Sequence, residues 1–400
     1  MPKPKVRFKR DDGRGYPEWK TIPMSEVFTE ISEKNHPEMP VLSVQQGVGT
    51  VLRDSSDRNI LYDKSNLKNY KAMKKDDYII HLRSFEGGLE CSNYDGISSP
   101  AYRILRSQAI LPAAYRDYFR SYDFIHNKLA VSVVGIRDGK NIDMDTFWQI
   151  PMSVPSLEEQ QKIADFLSSV DEVISTSEQE VANIEKQKKA VMKKIFSQEV
   201  RFKRMDGSDF PEWEKSTISE VSYVSGGKTP SMSNVSYWNN PSVNWISSKD
   251  MKSGRISKSE MQISENAAKT MKVYKPGTVL VVVRSGILRH SLPVAVLDEK
   301  STINQDIKAF EVYGCDSDYF AYFLKAQESI VIRDYVKKGT TVQSVQVEDL
   351  IRMMIPIPCI EEQRLIADFL SDFDEAIAAA KKELELWKEL KKGLLQQMFV

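Results

Sequence analysis

The sequence has little of what disulfides, metal sites and membrane spans require. Its 400 residues include 3 cysteines and 4 histidines. Cys91, Cys315 and Cys359 lie far apart without CxxC spacing, and the histidines form no HExxH pattern, so we expect neither a disulfide nor a bound metal. Apolar runs such as VLVVV at 279–283 are far shorter than the roughly 20 residues that cross a bilayer. Because MPKPKVRFKR has no apolar signal core, the sequence predicts a soluble, cytoplasmic protein without a membrane partner.

Recognisable catalytic motifs are also missing. The stretch SGGKTPS at 225–231 suggests a phosphate-binding loop, but Ser222 stands where that motif needs its first glycine, and Pro230 where its helix should begin. No glycine-rich dinucleotide fingerprint is present, and neither is the Asn-Pro-Pro-aromatic or Asp-Pro-Pro-aromatic tetrapeptide of amino-methyltransferases. His290 lies near Arg289 and Ser285 in sequence but has no partner that would orient it as a base. The sequence therefore predicts a binding protein rather than an enzyme.

No excess of charge marks the chain as a whole, because 56 lysines and arginines balance 56 aspartates and glutamates. Taken alone, this balance argues weakly against a nucleic-acid partner. The charge is nevertheless segmented: residues 1–155 and 200–356 are slightly basic, whereas 156–199 and 357–400 are acidic. These four blocks predict the order domain, helix, domain, helix.

Two phrases occur twice, each at its own offset. LEEQQKIADFLSSVDEVI at 157–174 returns as IEEQRLIADFLSDFDEAI at 360–377, with 12 of 18 positions identical at an offset of 203. VRFKRDDGRGYPEW at 6–19 returns as VRFKRMDGSDFPEW at 200–213, at an offset of 194. The two offsets differ because the second domain is 9 residues longer than the first. The repeat is therefore circular, and we expect the two ends of the chain to lie close together.

The acidic blocks have the apolar spacing of long helices. Steps of 4 and 3 residues define a heptad seam in each block, with Lys188 and Lys391 at the same interruption. Ser156 and Glu159 predict a capping box for the first helix, whereas Cys359 stands at that place in the second. Matching seams favour antiparallel pairing of the two helices over two independent surface helices. The predicted seam residues are Val170, Ile174, Ser177, Val181, Ile184, Val191 and Ile195, then Phe373, Ile377, Ala380, Leu384, Trp387, Leu394 and Met398.

The two other blocks have the pattern of α+β domains. YIIHL at 78–82 and TVLVVV at 278–283 predict strands, and the segments 116–130 and 317–336 have helical spacing. Each domain leaves through an extended segment punctuated by proline, QIPMSVP at 149–155 and MIPIPC at 354–359. We therefore expect two α+β domains, each followed directly by its long helix.

Polar loops in the two domains supply binding chemistry. Residues 226–254 combine glycine, serine, asparagine, lysine and aromatics, which suits contacts with phosphates and base edges. For Tyr237, Trp238 and Trp245 we favour the alternative that they pin this loop to the core. LRS at 82–84 and VRS at 283–285 both follow a strand, so Arg83 and Arg284 are candidate equivalents, with salt bridging and DNA contact evenly matched. The candidate contact residues are Gln45, Gln46, Lys71, Lys74, Arg83, Ser84, Gly227, Lys228, Thr229, Ser231, Asn234, Lys249, Arg284, Ser285 and Arg289.

Taken together, these features closely resemble the specificity subunit of type I restriction-modification enzymes. The phrases that carry the resemblance are EEQ…IADFL at the start of each long helix, RFKR…PEW before each domain, KKGLLQQMF at 391–399 and GGKTPS…YWN…WIS in the second domain. The first domain lacks the GGKTPS phrase, so contact residues should not be copied from one domain to the other. The resemblance covers essentially the whole chain.

The resemblance implies two target-recognition domains separated by two long antiparallel coiled-coil helices in a pseudo-two-fold circular repeat. Each domain would read one half of a split, asymmetric target in double-stranded DNA. It also implies two methyltransferase (M) subunits, which bind S-adenosylmethionine, and two restriction (R) subunits, which use ATP and Mg; the chain itself would bind no cofactor. Two alternatives stay open: a coiled-coil adaptor that binds proteins, and a fused nuclease or methyltransferase with an unrecognised site.

Overall fold

The computed structural model describes residues 4–53, 64–81, 88–135, 141–337, 339 and 342–399. The chain divides into two compact units. The first unit is Met1–Glu178 together with Lys382–Val400, and the second is Gln179–Lys381. Each unit therefore contains one predicted domain and a segment of each long helix.

The first unit is built on a four-stranded antiparallel sheet. Its strands, in spatial order, are Phe28–Ile31, Tyr102–Ser107, Tyr78–His81 and Glu90–Cys91. Alternate residues of the predicted strand at 78–82 face two clusters: Tyr78 and Ile80 enter the main core, and Ile79 a smaller one. Four further strand pairs occur in the described part of the unit: Lys20–Pro23 with Pro151–Val154, Leu42–Gln45 with Gly49–Leu52, Lys71–Met73 with Gly96–Ser98, and Val133–Val134 with Asn141–Ile142.

Short helices cover this sheet. The segment predicted to be helical at 116–130 is divided, because the α-helix ends at Phe119 and a π-helical turn follows. Among the described residues, the helical segments of the first domain are Met24–Val27, Lys64–Asn69 (3-10), Pro112–Phe119, Phe124–Lys128 (π), Leu129–Ser132 (3-10) and Met144–Gln149.

The second unit has the same arrangement with more strands. Its main sheet runs in the order Ser222–Gly226, Ile307–Val312, Val279–Val282, Val294–Leu297 and Arg255–Ile256. The apolar run at 279–283 is its central strand, and it is fully buried because Val279 and Val281 face one core while Leu280 and Val282 face another. The remaining strands are Gln262–Ile263, Val243–Ile246 and Ser301–Ile303 in one sheet, Arg284–Ser285, Gln343–Val345 and Val336–Lys337 in another, and the pair Glu214–Thr217 and Met354–Ile357.

Helices of the second domain occupy places like those of the first. The predicted helical segment at 317–336 again consists of an α-helix followed by a π-helical turn. The helical segments are Ile218–Val221, Val235–Tyr237 (3-10), Glu265–Ala268, Gly286–Arg289 (3-10), Ser317–Ala326, Glu328–Ile330, Val331–Tyr335 (π) and Val347–Leu350.

Both proline-punctuated exit segments are strands, as their extended pattern predicts. Pro151–Val154 pairs with Lys20–Pro23 in the first unit, and Met354–Ile357 pairs with Glu214–Thr217 in the second. In each domain the strand that follows the PEW phrase thus pairs with the strand that leads into the long helix. The first and last strands of each domain are therefore hydrogen-bonded neighbours.

The two long helices run over Leu157–Phe196 and Ile360–Met398. They are slightly shorter than the predicted blocks 156–199 and 357–400, since prolines and turn residues occupy the flanks. The first helix has 40 residues, which corresponds to about 60 Å. Every predicted seam residue in both helices is buried or half-buried, whereas most residues between them are exposed.

Only half of the predicted capping box at the first helix is present. The backbone N–H of Glu159 donates to Ser156 Oγ at 3.3 Å, as an N-cap requires. The Glu159 side chain does not return to Ser156, because it is engaged by two residues of the N-terminal phrase. The reciprocal half of the prediction is therefore wrong.

Glu159 joins the two repeated phrases in the first unit. Arg7 donates to its carboxylate through Nε at 3.1 Å and Nη2 at 2.8 Å, and Trp19 Nε1 donates at 3.0 Å. The Glu159 side chain is fully buried. A buried carboxylate is stable only when it is paired and hydrogen-bonded, and this one has three donors.

The second unit repeats this contact with different residues. Arg201 donates to Glu362 through Nε at 3.3 Å and Nη2 at 3.0 Å, and Trp213 Nε1 donates at 2.8 Å. We call each set of arginine, tryptophan and glutamate a clasp. The RFKR…PEW and EEQ phrases recur together because they are the two sides of one clasp.

The glutamine of each EEQ phrase ties the helix to its domain. Gln160 Oε1 accepts from the backbone N–H of Leu111 at 2.7 Å, just ahead of the helix Pro112–Phe119. Gln363 Oε1 accepts from the N–H of Asp316 at 2.7 Å, at the same place in the second unit. Both glutamines are buried, so these bonds fix the start of each long helix against its domain.

The circular repeat is visible in the backbone hydrogen bonds. In the first unit, Val6 N donates to Gln397 O at 3.2 Å, near the end of the second long helix. In the second unit, Val200 N donates to Lys194 O at 3.3 Å. Lys194 and Gln397 are related by the helix offset of 203, and Val6 and Val200 by the phrase offset of 194. The prediction that the two ends lie close together is confirmed.

Candidate nucleic-acid interface

Strand ends in the second unit bring several predicted contact residues to one edge. Val243–Ile246 and Ser301–Ile303 are parallel neighbours, so their carboxyl ends lie at the same edge of the sheet. The first leads into the turn at 247–250, which contains the exposed Lys249. The second leads into 304–306, and Asn304 N donates to Ile246 O at 2.9 Å. This edge therefore presents two adjacent turns.

The loop Gly227–Ser231 lies against the same strand ends, and we call it the GKTPS loop. Lys228 N donates to Ile303 O at 3.0 Å, and Thr229 Oγ1 donates to Gln305 Oε1. A Cβ on Gly227 would meet Ile303 O at 1.9 Å, so only glycine allows this approach. The GKTPS loop is thus fixed on the edge, with Lys228, Thr229 and Ser231 exposed.

Two tryptophan side chains, Trp245 and Trp238, bind the backbone of the GKTPS loop. Trp245 Nε1 donates to Lys228 O at 3.0 Å, and Trp238 Nε1 donates to Ser231 O at 3.1 Å. The two rings meet edge to face at 5.8 Å and pack with Tyr237 on a small apolar cluster. The structure agrees with the favoured prediction that these aromatics pin the loop to the core.

Arg284 and Ser285 reach the same edge from another strand. The backbone N–H of Arg284 donates to Asp306 O at 3.3 Å, and Ser285 Oγ accepts from Ile287 N at 3.3 Å. Arg289 lies in the turn that follows, where its Nε donates to Gln343 Oε1 at 3.2 Å. The structure therefore brings Arg284 to the strand end on which the GKTPS loop lies, and Ser285 and Arg289 follow Arg284 in the adjoining strand and turn.

Several exposed cations without carboxylate partners in the described chain lie at this edge. Among the residues that the structure describes, the Lys228, Lys249 and Arg284 side chains pair with no carboxylate, and all three are exposed. By contrast, Arg255 of the same unit pairs with Asp298 and Asp318. No carboxylate among the described residues therefore forms the salt bridge that was the alternative role for Arg284. Unpaired cations on an exposed edge form a surface that suits phosphates.

Lys308 is a further cation that sequence reasoning missed. It lies opposite Gly226 in the sheet, and a Cβ on Gly226 would stand 2.9 Å from Lys308 Nζ. The ammonium therefore crosses the strand beside the GKTPS loop, and it has no carboxylate partner in the described part of the chain. In the sequence, the glycine pair at 226–227 indicates a close approach of another group. Only the strand register shows that this group is Lys308.

Asn234 has a local structural role as well. Its Oδ1 accepts from Ser236 N at 3.2 Å and caps the turn Val235–Tyr237. The side chain is exposed, and so is Ser231, whose Oγ lies 2.9 Å from Ser233 Oγ. Both stay predictions as contact residues.

In the first unit, Gln45 and Gln46 lie at the tip of the hairpin Leu42–Gln45 and Gly49–Leu52. Both are exposed. A buried carboxylate holds the hairpin tip in place: Gly47 N donates to Glu90 at 2.7 Å, and Glu90 pairs with Arg120 at 2.5 Å. The first domain thus presents glutamines on a rigid hairpin where the second presents a loop.

The two lysines predicted for the first domain differ in environment. Lys71 is half-buried and Nζ donates to Tyr102 O at 2.7 Å; burial lowers the pKa of Lys71. Lys74 is exposed, and its ammonium has no partner within the described ranges. Neither lies on the hairpin that carries Gln45. Arg83 and Ser84 lie outside the described residues.

Metal and membrane sites are not found in the part of the chain that the structure describes. No group of three or more His, Cys, Asp or Glu side chains there could hold a metal ion. No helix of those residues is long and apolar enough to cross a membrane. Burial raises the pKa of the Cys91 and Cys315 thiols to about 12, so neither is a thiolate at neutral pH.

A family model covers both halves of the chain. The family is described as the type I restriction modification DNA specificity domain, and its model matches residues 18–186 and 211–386. Each matched range contains one domain and much of the long helix that follows it.

Curated relatives align with parts of the chain. The specificity subunit of the type I restriction enzyme EcoR124I/EcoR124II from Escherichia coli is 34% identical over 166 residues, which is 41% of this chain and 41% of that protein. The MjaIX specificity subunit from Methanocaldococcus jannaschii is 30% identical over 212 residues, which is 51% of this chain and 48% of that protein. The chain thus spans less than half the length of either relative.

Solved structures share the fold at low identity. A chain from work described as "Structural basis underlying complex assembly and conformational transition of the type I R-M system" aligns with 96% of this chain and 97% of its own length, at 20% identity and a TM-score of 0.60. The type I restriction-modification S subunit from M. genitalium aligns with 99% of both chains at 13% identity and a TM-score of 0.52. These likenesses agree with the mixed helix and strand content of both units. Because the family model matches most of both domains, the chain belongs to the type I restriction modification DNA specificity domain family.

Proposed function

We propose that this chain is the DNA-reading subunit of a type I restriction-modification enzyme. The observation that carries the proposal is the edge of the second unit, where the rigid GKTPS loop and the exposed cations Lys228, Lys249 and Arg284 converge without carboxylate partners in the described chain. Phosphate contacts from such cations give affinity, and polar side chains on a fixed backbone give sequence readout.

Each domain would read one half of a split target. The two domains share a sheet order and a clasp, but their exposed tips differ: a hairpin with Gln45 and Gln46 in the first, and the GKTPS loop in the second. Different side chains read different base edges. The two halves of the target should therefore differ in sequence.

The long helices would form an antiparallel coiled coil. In the first unit Asp171 pairs with Lys391 and Glu178 with Lys388. In the second unit Glu185 pairs with Lys381, and Lys188 with Asp374. Within each unit the paired residue numbers rise along one helix as they fall along the other, which supports antiparallel pairing along both heptad seams.

Partner subunits would supply the chemistry. The proposal assigns S-adenosylmethionine to two methyltransferase subunits, and ATP with Mg to two restriction subunits, in the cytoplasm with the host DNA. Leu157, Ile360, Leu386 and Leu390 are exposed apolar residues on the long helices, and such residues are available for docking these subunits. In this assignment the chain carries no catalytic residue of its own.

Co-expression tests the proposal. The chain is produced with and without a type I methyltransferase subunit from the same organism, and adenine methylation of the host DNA is mapped in both cases. We expect the two proteins to purify together, and methylation at one split motif only when both are present. Co-purification without methylation would favour the protein-binding adaptor, and methylation by the chain alone would favour a fused methyltransferase.

A further inference from the structure

The indole N–H groups of Trp245 and Trp238 donate hydrogen bonds to the backbone of the GKTPS loop, in addition to the packing of their rings. Trp245 Nε1 binds the carbonyl of Lys228 at 3.0 Å, and Trp238 Nε1 binds that of Ser231 at 3.1 Å. The bonds lie at the two ends of one exposed stretch. Together they fix how that stretch is oriented.

Both donors belong to rigid parts of the second unit. Trp245 lies on the central strand of the three-stranded sheet, is only 7% exposed, and packs in a cluster with Ile263 and Ala267. Trp238 ends the turn Val235–Tyr237, and that turn is held where Ser264 N donates to Tyr237 O at 2.9 Å. A donor on a fixed element holds its acceptor more accurately than a donor on a mobile loop.

The orientation decides what the loop presents. Its carbonyls at 228 and 231 point to the indoles, while the Lys228, Thr229 and Ser231 side chains remain exposed. Lys228 N and Thr229 Oγ1 are bound by residues 303 and 305 of the neighbouring strand end. A surface ordered before binding loses less entropy when it binds, and it discriminates better between partners.

We propose that Trp245 and Trp238 are positioning residues that set the sequence specificity of the second domain. They do not touch DNA themselves; they hold the GKTPS loop in the one orientation that fits its half-site. This inference rests on the proposed function. It goes further by naming the residues that determine how accurately one half of the target is read.

Trp245→Phe and Trp238→Phe test this inference, because each removes an indole N–H and keeps an aromatic ring. Trp213→Phe is the matched control: it removes the indole N–H that binds Glu362 at 2.8 Å in the clasp of the same unit. Each variant of the full chain is produced with its methyltransferase partner. The measurements are the methylated motif in host DNA, the affinity for duplexes with the motif and with single substitutions in each half, and the melting temperature.

We expect Trp245→Phe to weaken binding of the motif about threefold to tenfold, the equivalent of one hydrogen bond. Discrimination should fall in one half of the motif only, and Trp238→Phe should affect the same half. Trp213→Phe should lower the melting temperature and leave discrimination in both halves unchanged. If Trp245→Phe does not accumulate, the more exposed Trp238→Phe decides the question.

An unchanged motif and unchanged discrimination in both loop variants would overturn the inference while the proposed function stood. Equal loss of discrimination in Trp213→Phe would also overturn it, because the effect would then follow stability. If the wild-type chain gave no sequence-specific methylation or binding, the proposed function would fail and the inference with it.

Discussion

Glu159 and Glu362 explain why two phrases recur in this chain. Each carboxylate is fully buried, and each accepts from an arginine and a tryptophan of the RFKR…PEW phrase. A buried carboxylate without these donors would be strongly destabilising, so neither phrase can change alone. The repeats therefore encode the attachment of each domain to its long helix.

Replacing Arg201 with Met should destabilise the second unit by about 2–3 kcal/mol. The change leaves Glu362 buried with only Trp213 as a donor, and the value is reduced because Arg201 itself is partly exposed. Hydrogen exchange in the second unit measures the effect. Arg204→Met is the control, because its contact with the exposed Glu361 is 4.0 Å long and should contribute less than about 1 kcal/mol. Equal effects of the two variants would contradict the account.

Replacing Arg284 with Ala should weaken DNA binding and leave assembly with the methyltransferase intact. Arg284 is exposed, and its guanidinium has no carboxylate partner in the described chain. Loss of a base contact costs about 1–3 kcal/mol, and loss of a phosphate contact lowers the salt slope by about 1. Titration of the motif duplex at several salt concentrations separates the two cases. Arg352→Ala, at an exposed arginine just ahead of Met354–Ile357, should change neither; unchanged binding by Arg284→Ala would remove that residue from the contact surface.

The polar interruption of each heptad seam is paired in the structure. Lys188 lies 2.5 Å from Asp374 and over the ring of Tyr322 at 4.8 Å. Lys391 lies 2.5 Å from Asp171 and also pairs with Asp117. A buried lysine in a seam disfavours every register that leaves it unpaired. We therefore expect these lysines to select one helix register at some cost in stability.

Exchanging the charges of Lys188 and Asp374 tests this role. Lys188→Asp and Asp374→Lys should each destabilise the second unit by about 1–2 kcal/mol, since each places like charges side by side at a partly exposed site. The double variant should recover at least half of the loss. A double-mutant cycle of unfolding free energies gives the coupling. No recovery in the double variant would show that the pair does not select the register.

We expect Asp117 to make the first unit sensitive to acid. Burial opposes its ionisation, but the bond from Lys391 and the charges of Lys391, Arg116 and Arg120 hold the pKa of Asp117 below 3.8. A lowered pKa contributes stability that is present above the ordinary pKa and is lost as pH falls through the folded value. Asp117→Asn should therefore lower the melting temperature at pH 7 and flatten its decline below about pH 4.

Asp165→Asn is the control for Asp117→Asn. Asp165 is exposed on the first long helix and accepts from Gln161 at 2.7 Å. Melting curves between pH 7 and pH 3 compare the three proteins. A decline in Asp117→Asn as steep as in the unchanged chain would exclude Asp117 as the acid-sensitive group.

The order of domains and helices could be predicted from the sequence, because periodic apolar spacing and repeated phrases indicate it directly. Heptad steps identify both long helices, and the paired offsets identify the circular repeat. The clasp could not be predicted, because it joins residues about 150 positions apart and depends on which side chains become buried. Lys308 was missed for a similar reason, since only the strand register places it beside Gly226.

Across the whole chain, some features occur in both units and others in only one, and we assign them different roles. The clasps, the exit strands and the sheet order occur in both units, whereas the exposed tips do not. Contact residues in the tips were predicted from composition, which indicates surface and polarity. Composition does not show orientation, as Lys71 illustrates by turning Nζ to a backbone carbonyl. Shared parts support the fold, and unshared parts should determine the target.

Exchange of the second domain tests whether each domain reads its own half of the target. Residues 214–350, which contain the GKTPS loop and Arg284 but neither clasp nor long helix, are replaced by the equivalent region of a relative. Methylome sequencing of a host that expresses the chimaera with the methyltransferase then gives the motif. We predict a split motif in which one half is new and the other is unchanged. A motif altered in both halves, or in neither, would contradict it.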